Sequence, residues 1–213
     1  MATVGMLMTG FPGFIAGRLV EALVDKYGKQ AKLFLLVEGR YAGVARERCE
    51  MTEDARPAFK GKGKVIEGDS RRPDLGMKGK VLARVVSKVR VVWHLAAYYD
   101  LAAPLPLSYA VNVEGTLHVL DLCQKLKKLE RLLYISTCYV SGRRIGRVYE
   151  QELDHGQDFK NNYESTKFWA EKHVRARMDE IPTVIFRPAI VVGDSQTGET
   201  VKGDGPYFVM QLM

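Results

Sequence analysis

Apolar residues fall along this chain in short runs separated by longer helical patterns. Val4–Thr9 is an apolar run that ends at Gly10. From Ile15 to Tyr27, apolar residues recur at 15, 19, 20, 23, 24 and 27, the spacing of one helix face. Leu33–Val37 predicts a second strand, Lys64–Glu67 a third, Val91–Leu95 a fourth, Leu132–Ser136 a fifth and Thr183–Phe186 a sixth. Between them, Tyr41–Glu53, Leu82–Val89, Val111–Leu126 and Tyr163–Met178 read as helices. The strands are apolar throughout instead of alternating, which is the pattern of strands covered on both faces. Strands that alternate with helices imply parallel pairing through right-handed crossovers. The predicted fold is an α/β doubly wound parallel sheet, Rossmann-like. Ligands of such sheets sit beyond the C-terminal ends of the strands, so the residues there are the candidates for function.

Composition narrows the class further. The chain has 213 residues, 46% hydrophobic and 27% charged. That excludes global disorder, collagen-like repeats and a disulfide scaffold. Cys49, Cys123 and Cys138 are far apart and form no CxxC or other metal-ligand spacing, so no metal site is expected and a reducing compartment is. The apolar start at Val4–Met8 is broken by Thr9-Gly10 and lacks a charged flank, so it does not read as a signal peptide. No apolar stretch reaches about 18 residues, so a cytoplasmic protein with no membrane span is expected. The net charge of +7 is local: residues 60 to 90 hold ten Lys/Arg against three acids. Such a window can meet an anionic partner or be a solvated surface. No aromatic interleaving or nucleic-acid motif accompanies it, and nucleic acid is not an expected partner.

The first strand runs into Thr9-Gly10-Phe11-Pro12-Gly13-Phe14-Ile15-Ala16-Gly17. Glycine at 10 allows a tight turn, glycine at 13 lets the backbone approach a pyrophosphate, and a small residue at 16 allows close helix packing. The helix that follows offers free N–H groups and a positive dipole end to phosphates. The second strand ends at Glu38, a carboxylate that can accept from an adenosine ribose and favours NAD, while Arg40 could instead hold the 2′-phosphate of NADP. The balance leans to NAD. The third strand ends at Gly68-Asp69-Ser70, where an acid could bond an adenine amino group or serve as a turn or helix cap. The fourth ends in His94-Leu95-Ala96-Ala97, whose small residues let a cofactor lie close; His94 itself reads as a core residue.

The fifth strand ends in Ser136-Thr137-Cys138-Tyr139, and hydroxyls there can donate to a substrate carbonyl oxygen. A glycine-x-serine-x-glycine elbow is absent, so acyl-enzyme hydrolysis is not supported. Cys138 reads as a packing residue. Tyr163 and Lys167, four apart, lie on one helix face. An ammonium beside a phenol should lower the tyrosine pKa from about 10 toward neutrality and make Tyr163 a usable acid or base.

Together these residues resemble the extended short-chain dehydrogenase/reductase superfamily over essentially the whole chain. Thr9-Gly10-x-x-Gly13-x-x-Ala16 is similar to its cofactor loop, with Ala16 and then Gly17 where a third glycine is usual. Asp69 matches the acid that contacts adenine, Leu95-Ala96-Ala97 the segment under the cofactor, and Asn112-Val113-Glu114-Gly115-Thr116 the structural asparagine motif, with Asn112 counted among the cofactor positions. Pro188, Ala189 and Val191 fall in the segment that meets the nicotinamide. By this resemblance Tyr163 is the acid/base, Lys167 holds the nicotinamide ribose, and Thr137, or its neighbour Ser136, orients the substrate oxygen. Within the superfamily, Ala96-Ala97-Tyr98-Tyr99-Asp100-Leu101 and Ser136-Thr137-Cys138-Tyr139-Val140-Ser141-Gly142 look most like the fatty acyl-CoA and thioester reductase branch, with its male-sterility-type NAD-binding domain. That branch commonly carries an arginine after the second strand, where this chain has Glu38.

The resemblance implies an NAD(P)-dependent oxidoreductase passing hydride to an acyl thioester, aldehyde or ketone, with acyl-CoA a candidate substrate and a homodimer a candidate assembly. A sugar-nucleotide epimerase or dehydratase shares every motif, and a nonenzymatic dinucleotide binder would not need the Tyr163/Lys167 pair. Residues 1–193 read as the dinucleotide-binding domain. Residues 194–213 read as the opening of a truncated substrate-binding region, the apolar run Gly205–Met213 being the start of a helix, so the chain is expected to be a fragment.

Overall fold

A computed structural model describes residues 3–200, 203, 205–211 and 213; Val201, Lys202, Asp204, Leu212 and the side chain of Phe208, all in the expected C-terminal region, lie outside the described residues. Six strands, β1 (Val4–Thr9), β2 (Ala31–Val37), β3 (Gly63–Glu67), β4 (Val89–His94), β5 (Arg131–Ile135) and β6 (Thr183–Phe186), form one sheet in the order β3-β2-β1-β4-β5-β6. Every pairing is parallel. The crossovers include α1 (Phe14–Tyr27), α2 (Ala42–Ala55), α3 (Gly79–Lys88), α4 (Leu105–Tyr109), α5 (Gly115–Lys125) and α6 (Asn162–Arg175); α7 (Pro206–Gln211) follows the last strand.

Alternate side chains of each strand leave the sheet on opposite faces, and both faces are buried along the central strands, the edge strands β3 and β6 being more open. Met6, Met8, Leu33, Leu35 and Val37 pack with Val20, Val24 and Phe59 on one side. Leu7, Phe34, Leu36, Val92, Leu132 and Tyr134 pack with Val85, Val119 and Val174 on the other. This double burial is why the strands lack a polar face. The basic window of residues 60 to 90 spreads over β3, the turn after it and α3, and its lysines are exposed except for Lys62.

Most element bounds shift by one to three residues from the sequence expectation, and three of the differences have a clear physical reason. The helix expected at Leu82–Val89 begins at Gly79 and ends at Lys88, because Val89 is fully buried in β4 opposite Gly5. The helix expected at Val111–Leu126 is interrupted: a wide turn at Ala110–Glu114 links α4 to α5 and carries the buried Asn112. Such insertions in a helix recur at functional sites. On the first helix, Ile15 is 39% exposed while Gly17 is buried, so the inward face starts at Ala16. No helix among the described residues is long and apolar enough to cross a membrane.

Strand order reverses between β1 and β4. The chain leaves β1 toward β2 and later crosses back to β4, so a crevice opens between their C-terminal ends.

Candidate active site

A cleft of about 790 Å³ occupies that crevice. Glu38, Arg40, Ser70 and Arg71 line it beside the tips of β2 and β3, and the loop Thr9–Ala16 lines its middle. Thr137, Tyr163, Lys167, Pro188, Ala189 and Val191 line it beside the tips of β5 and β6. Leu95, Ala96 and Ala97 line it after β4, and Ser136 lines it after β5.

The loop is shaped by two glycines. Gly10 has φ 88°, and a Cβ there would stand 2.8 Å from the backbone of Leu95 and Ala96. Gly13 donates its N–H to the Gly10 carbonyl at 2.9 Å, and a Cβ at 13 would lie 2.7 Å from that oxygen. The need for glycine at 13 therefore arises inside the loop, before any ligand is considered. Gly13 then caps α1 without a side chain, and the first turn of α1 holds no acidic residue. The positive end of the helix is left open to the cleft, which fits a pyrophosphate.

Beside β2, Glu38 and Arg40 pair at 2.9 Å, and Arg40 lies over the Tyr41 ring at 4.8 Å. Arg71 reaches Glu38 at 4.0 Å. Asp69 is not among the lining residues: the Arg71 guanidinium donates twice and its backbone N–H once to the Asp69 carboxylate, each at 2.9 Å. Those bonds hold the Asp69 carboxyl below its usual range. Arg71 is thus the group presented to the cleft at the position where sequence pointed to Asp69. Asn112 does not line the cleft either. It is buried, accepts from the Tyr98 N–H at 2.7 Å and donates to Thr166 at 3.0 Å, so it staples the segment after β4 to α6.

Beside β5, Asn161 caps α6 by accepting from the Glu164 N–H at 2.9 Å, which starts the helix just before Tyr163. The Tyr163 ring is buried and meets Tyr99 edge-on at 4.9 Å. Thr137 lines the same end of the cleft, its hydroxyl oxygen accepting from the Tyr139 N–H at 3.3 Å. Ser136 points elsewhere: its hydroxyl donates to the buried carboxylate of Glu171 at 2.6 Å. Glu171 also takes bonds from Arg175 at 2.9 Å and Arg187 at 2.6 Å, joining α6 to the segments after β5 and β6. Cys138 donates its N–H to the Pro188 carbonyl at 3.0 Å.

The ionisation differs from the sequence expectation. Burial pushes the Tyr163 phenol up to about 12, with the Thr137 hydrogen bond opposing. Burial pushes Lys167 down to about 7, partly offset by the Glu171 charge. Helical spacing does place Tyr163 and Lys167 on one face, yet the lysine Nζ bonds the Tyr134 hydroxyl at 3.0 Å and the Ile135 carbonyl at 2.7 Å. Desolvation of the phenol exceeds any help from the lysine, so Tyr163 holds its proton at neutral pH. His94 is a buried core residue bonded to Thr9 and Thr116. Sequence reasoning missed Arg71, Tyr134 and Glu171. The signal for the last two was a polar side chain inside an otherwise apolar strand or on the buried face of a helix.

Comparison with known proteins bears on this geometry. The chain is 24% identical over 222 residues to the Drosophila melanogaster protein "Fatty acyl-CoA reductase wat", covering 88% of this chain and 43% of that one. The terminal R domain from the myxalamid PKS-NRPS biosynthetic pathway superimposes with a TM-score of 0.79 at 26% identity, covering 93% of this chain and 52% of that one. A UDP-glucuronic acid 4-epimerase from Bacillus cereus in complex with NAD shares the fold, with a TM-score of 0.70 at 24% identity, over 91% of this chain and 59% of that one. The chain therefore spans about half the length of such relatives. An NAD-binding family profile described as "Male sterility protein" matches residues 8–213. With that match covering nearly the whole chain, this protein belongs to the NAD-binding male sterility family, within the extended short-chain dehydrogenase/reductases and on their thioester reductase branch.

Proposed function

We propose that the chain forms the dinucleotide-binding and proton-donating part of an NAD(H)-dependent reductase acting on an acyl thioester, with acyl-CoA as the substrate class. One observation carries the reading: a buried Tyr163 phenol, held protonated by desolvation, lines the end of a cleft beside Thr137, and the middle of that cleft fits a pyrophosphate. Reduction leaves negative charge on the substrate oxygen, and a phenol that still holds its proton can neutralise it. Thr137 orients that oxygen, and Lys167 supplies an N–H to the ribose. The nicotinamide, when bound, supplies the hydride. Glu38 at the tip of β2 suits the two free ribose hydroxyls of NAD. The reductase names of the relatives support the thioester class, and the shared epimerase fold alone does not favour an epimerase.

The test is to titrate NADH and NADPH by fluorescence, then follow dinucleotide oxidation with acyl-CoAs, aldehydes and nucleotide sugars. Net oxidation with an acyl-CoA is expected, whereas an epimerase shows no net redox turnover. Tyr163→Phe should lower kcat by about 10² to 10⁴. Dinucleotide affinity should change by less than about tenfold, because a single neutral hydrogen bond is involved. Unchanged turnover in the phenylalanine variant, or failure of both dinucleotides to bind, would overturn the proposal.

A further inference from the structure

Lys167 is fully enclosed, and β5 supplies the two acceptors its ammonium uses. The Tyr134 hydroxyl is at 3.0 Å and the Ile135 carbonyl at 2.7 Å. An ammonium has three N–H groups. Two are committed to β5, which leaves one for the cleft that Lys167 lines.

Tyr134 is itself tied down. It is fully buried, and its ring stands 5.6 Å from the His94 ring, whose Nε2 bonds the Thr116 hydroxyl. Thr116 passes its own proton to the Asn112 carbonyl at 2.6 Å, so its oxygen can only accept from other partners. It therefore accepts from His94 Nε2 at 3.0 Å. That fixes His94 as the tautomer protonated at Nε2. His94 Nδ1 then accepts from the Thr9 hydroxyl at 2.8 Å, and Thr9 accepts from the Ala96 N–H at 3.1 Å. Every donor and acceptor in this row is used once and in one sense. The row ends on a buried backbone carbonyl, so it positions groups and offers no proton path to solvent.

We propose that Tyr134 is a positioning residue for Lys167: its hydroxyl fixes where the ammonium points, and its ring packs on His94, which is bonded to Thr9 at the strand end that carries Gly10. The inference rests on the role given to Lys167 under the proposed function. Burial pushes the Tyr134 phenol well above its ordinary value, so it stays a neutral O–H at working pH. The titratable or charged groups facing Lys167 are Tyr134 on β5, His94 on β4, and Tyr163 and Glu171 on its own helix. Arg187, after β6, is paired with Glu171. His94 is held neutral, its imidazole pushed down to about 3 by burial and by the Lys167 charge.

The experiment labels lysine at Cε with ¹³C and follows Lys167 against pH by NMR, with Lys167→Arg assigning the signal. In Tyr134→Phe the ammonium loses an acceptor, and its midpoint should fall by about one unit, a tenfold weaker proton affinity. The alkaline limb of NADH affinity should move down with it. A midpoint within about 0.3 unit of the wild type would overturn the proposal, since one lost hydrogen bond to a charge is worth more than that. Should Tyr134→Phe fail to fold, wild-type protein labelled at tyrosine Cζ gives a second readout. The Tyr134 signal must then shift at the Lys167 midpoint, and a flat signal sinks the idea. The two readings also fail separately. Coupled titration with no dinucleotide binding removes the proposed function alone. Dinucleotide binding whose pH midpoint ignores Tyr134→Phe removes the positioning role alone.

Discussion

Replacing Glu171 by glutamine keeps the shape of a fully buried side chain and removes its charge. Three groups lose a carboxylate partner: Ser136 at 2.6 Å, Arg175 at 2.9 Å and Arg187 at 2.6 Å. Arg187 matters most, because its side chain is only 12% exposed, against 28% for Arg175. An amide can still accept one bond, but its NH₂ must then face a guanidinium or the serine. Breaking a buried pair from one side costs about 3 to 5 kcal/mol, and the surviving acceptor argues for the lower end, about 3 kcal/mol. For a chain of this size that lowers Tm by roughly 6 to 12 °C. Thermal unfolding followed by circular dichroism measures it, with Glu199→Gln as control. Glu199 is 74% exposed and meets Arg18 at 3.5 Å, so its loss should cost less than about 1 kcal/mol. Burial alone would raise the Glu171 carboxyl, but bonds from Arg187 and Ser136 hold it below the ordinary value. A depressed folded pKa contributes stability above the unfolded value of about 4.3, and that stability is lost as pH falls. The gap between wild type and Glu171→Gln should therefore shrink below about pH 4. A variant that melts within about 1 °C of the wild type at pH 7 would refute the reasoning.

Two further outcomes follow from the same cleft. Glu38→Ala frees Arg40 and Arg71 from a shared carboxylate, so the ratio of NADPH to NADH affinity should rise by about 10- to 100-fold, from one or two charge-assisted bonds to a 2′-phosphate. Isothermal titration with both dinucleotides checks this, and an unchanged ratio would remove Glu38 from cofactor choice. Lys167 is pushed down to about 7 when folded, while an unfolded lysine titrates near 10.4. Between those values the unfolded chain binds the extra proton, so this group makes stability rise with pH. Lys167→Met should lack that rise, and urea unfolding at pH 6.5 and pH 9.5 should show wild type gaining on the variant by several kcal/mol. Parallel pH profiles for the two proteins would contradict a desolvated lysine.

The parts of the site that were legible in the sequence are those encoded by near neighbours. The loop from Thr9 to Ala16 is read from glycine spacing after an apolar run, and it lines the cleft as one piece. Tyr163 and Lys167 are read from a four-residue step on one helix, and both line the cleft. The sheet was legible because apolar runs buried on both faces admit few arrangements. What sequence did not carry is which distant polar group each side chain meets. Asp69 stands at a strand tip, yet Arg71, two residues on, takes its carboxylate and faces the cleft in its place. Ser136 and Thr137 are equivalent as neighbouring hydroxyls. They separate only because successive side chains of an extended segment point oppositely: Ser136 donates to the buried Glu171, while Thr137 accepts from the Tyr139 N–H and caps the turn that follows. Tyr134 left a clue, since a phenol in a buried strand needs a partner for its hydroxyl, but its partner is 33 residues away.

The proton inventory of the cleft is set by burial more than by adjacency. Had Lys167 lowered Tyr163 toward neutrality, the phenolate would be available as a base and oxidation of an alcohol would be as well served as reduction. Instead the phenol is held up and the lysine down by the same loss of water. Near pH 7 the phenol carries its proton and the lysine is balanced between charged and neutral. Under the proposed function, a ribose hydroxyl accepting from Lys167 selects the ammonium, so above pH 7 dinucleotide binding should draw a proton into the site. The ammonium so fixed lies on the same helix face as the phenol and favours the phenolate left after proton donation. Under the proposed function, binding and proton donation are thereby linked through one buried lysine, held in place by β5 and stationed one helical turn from Tyr163.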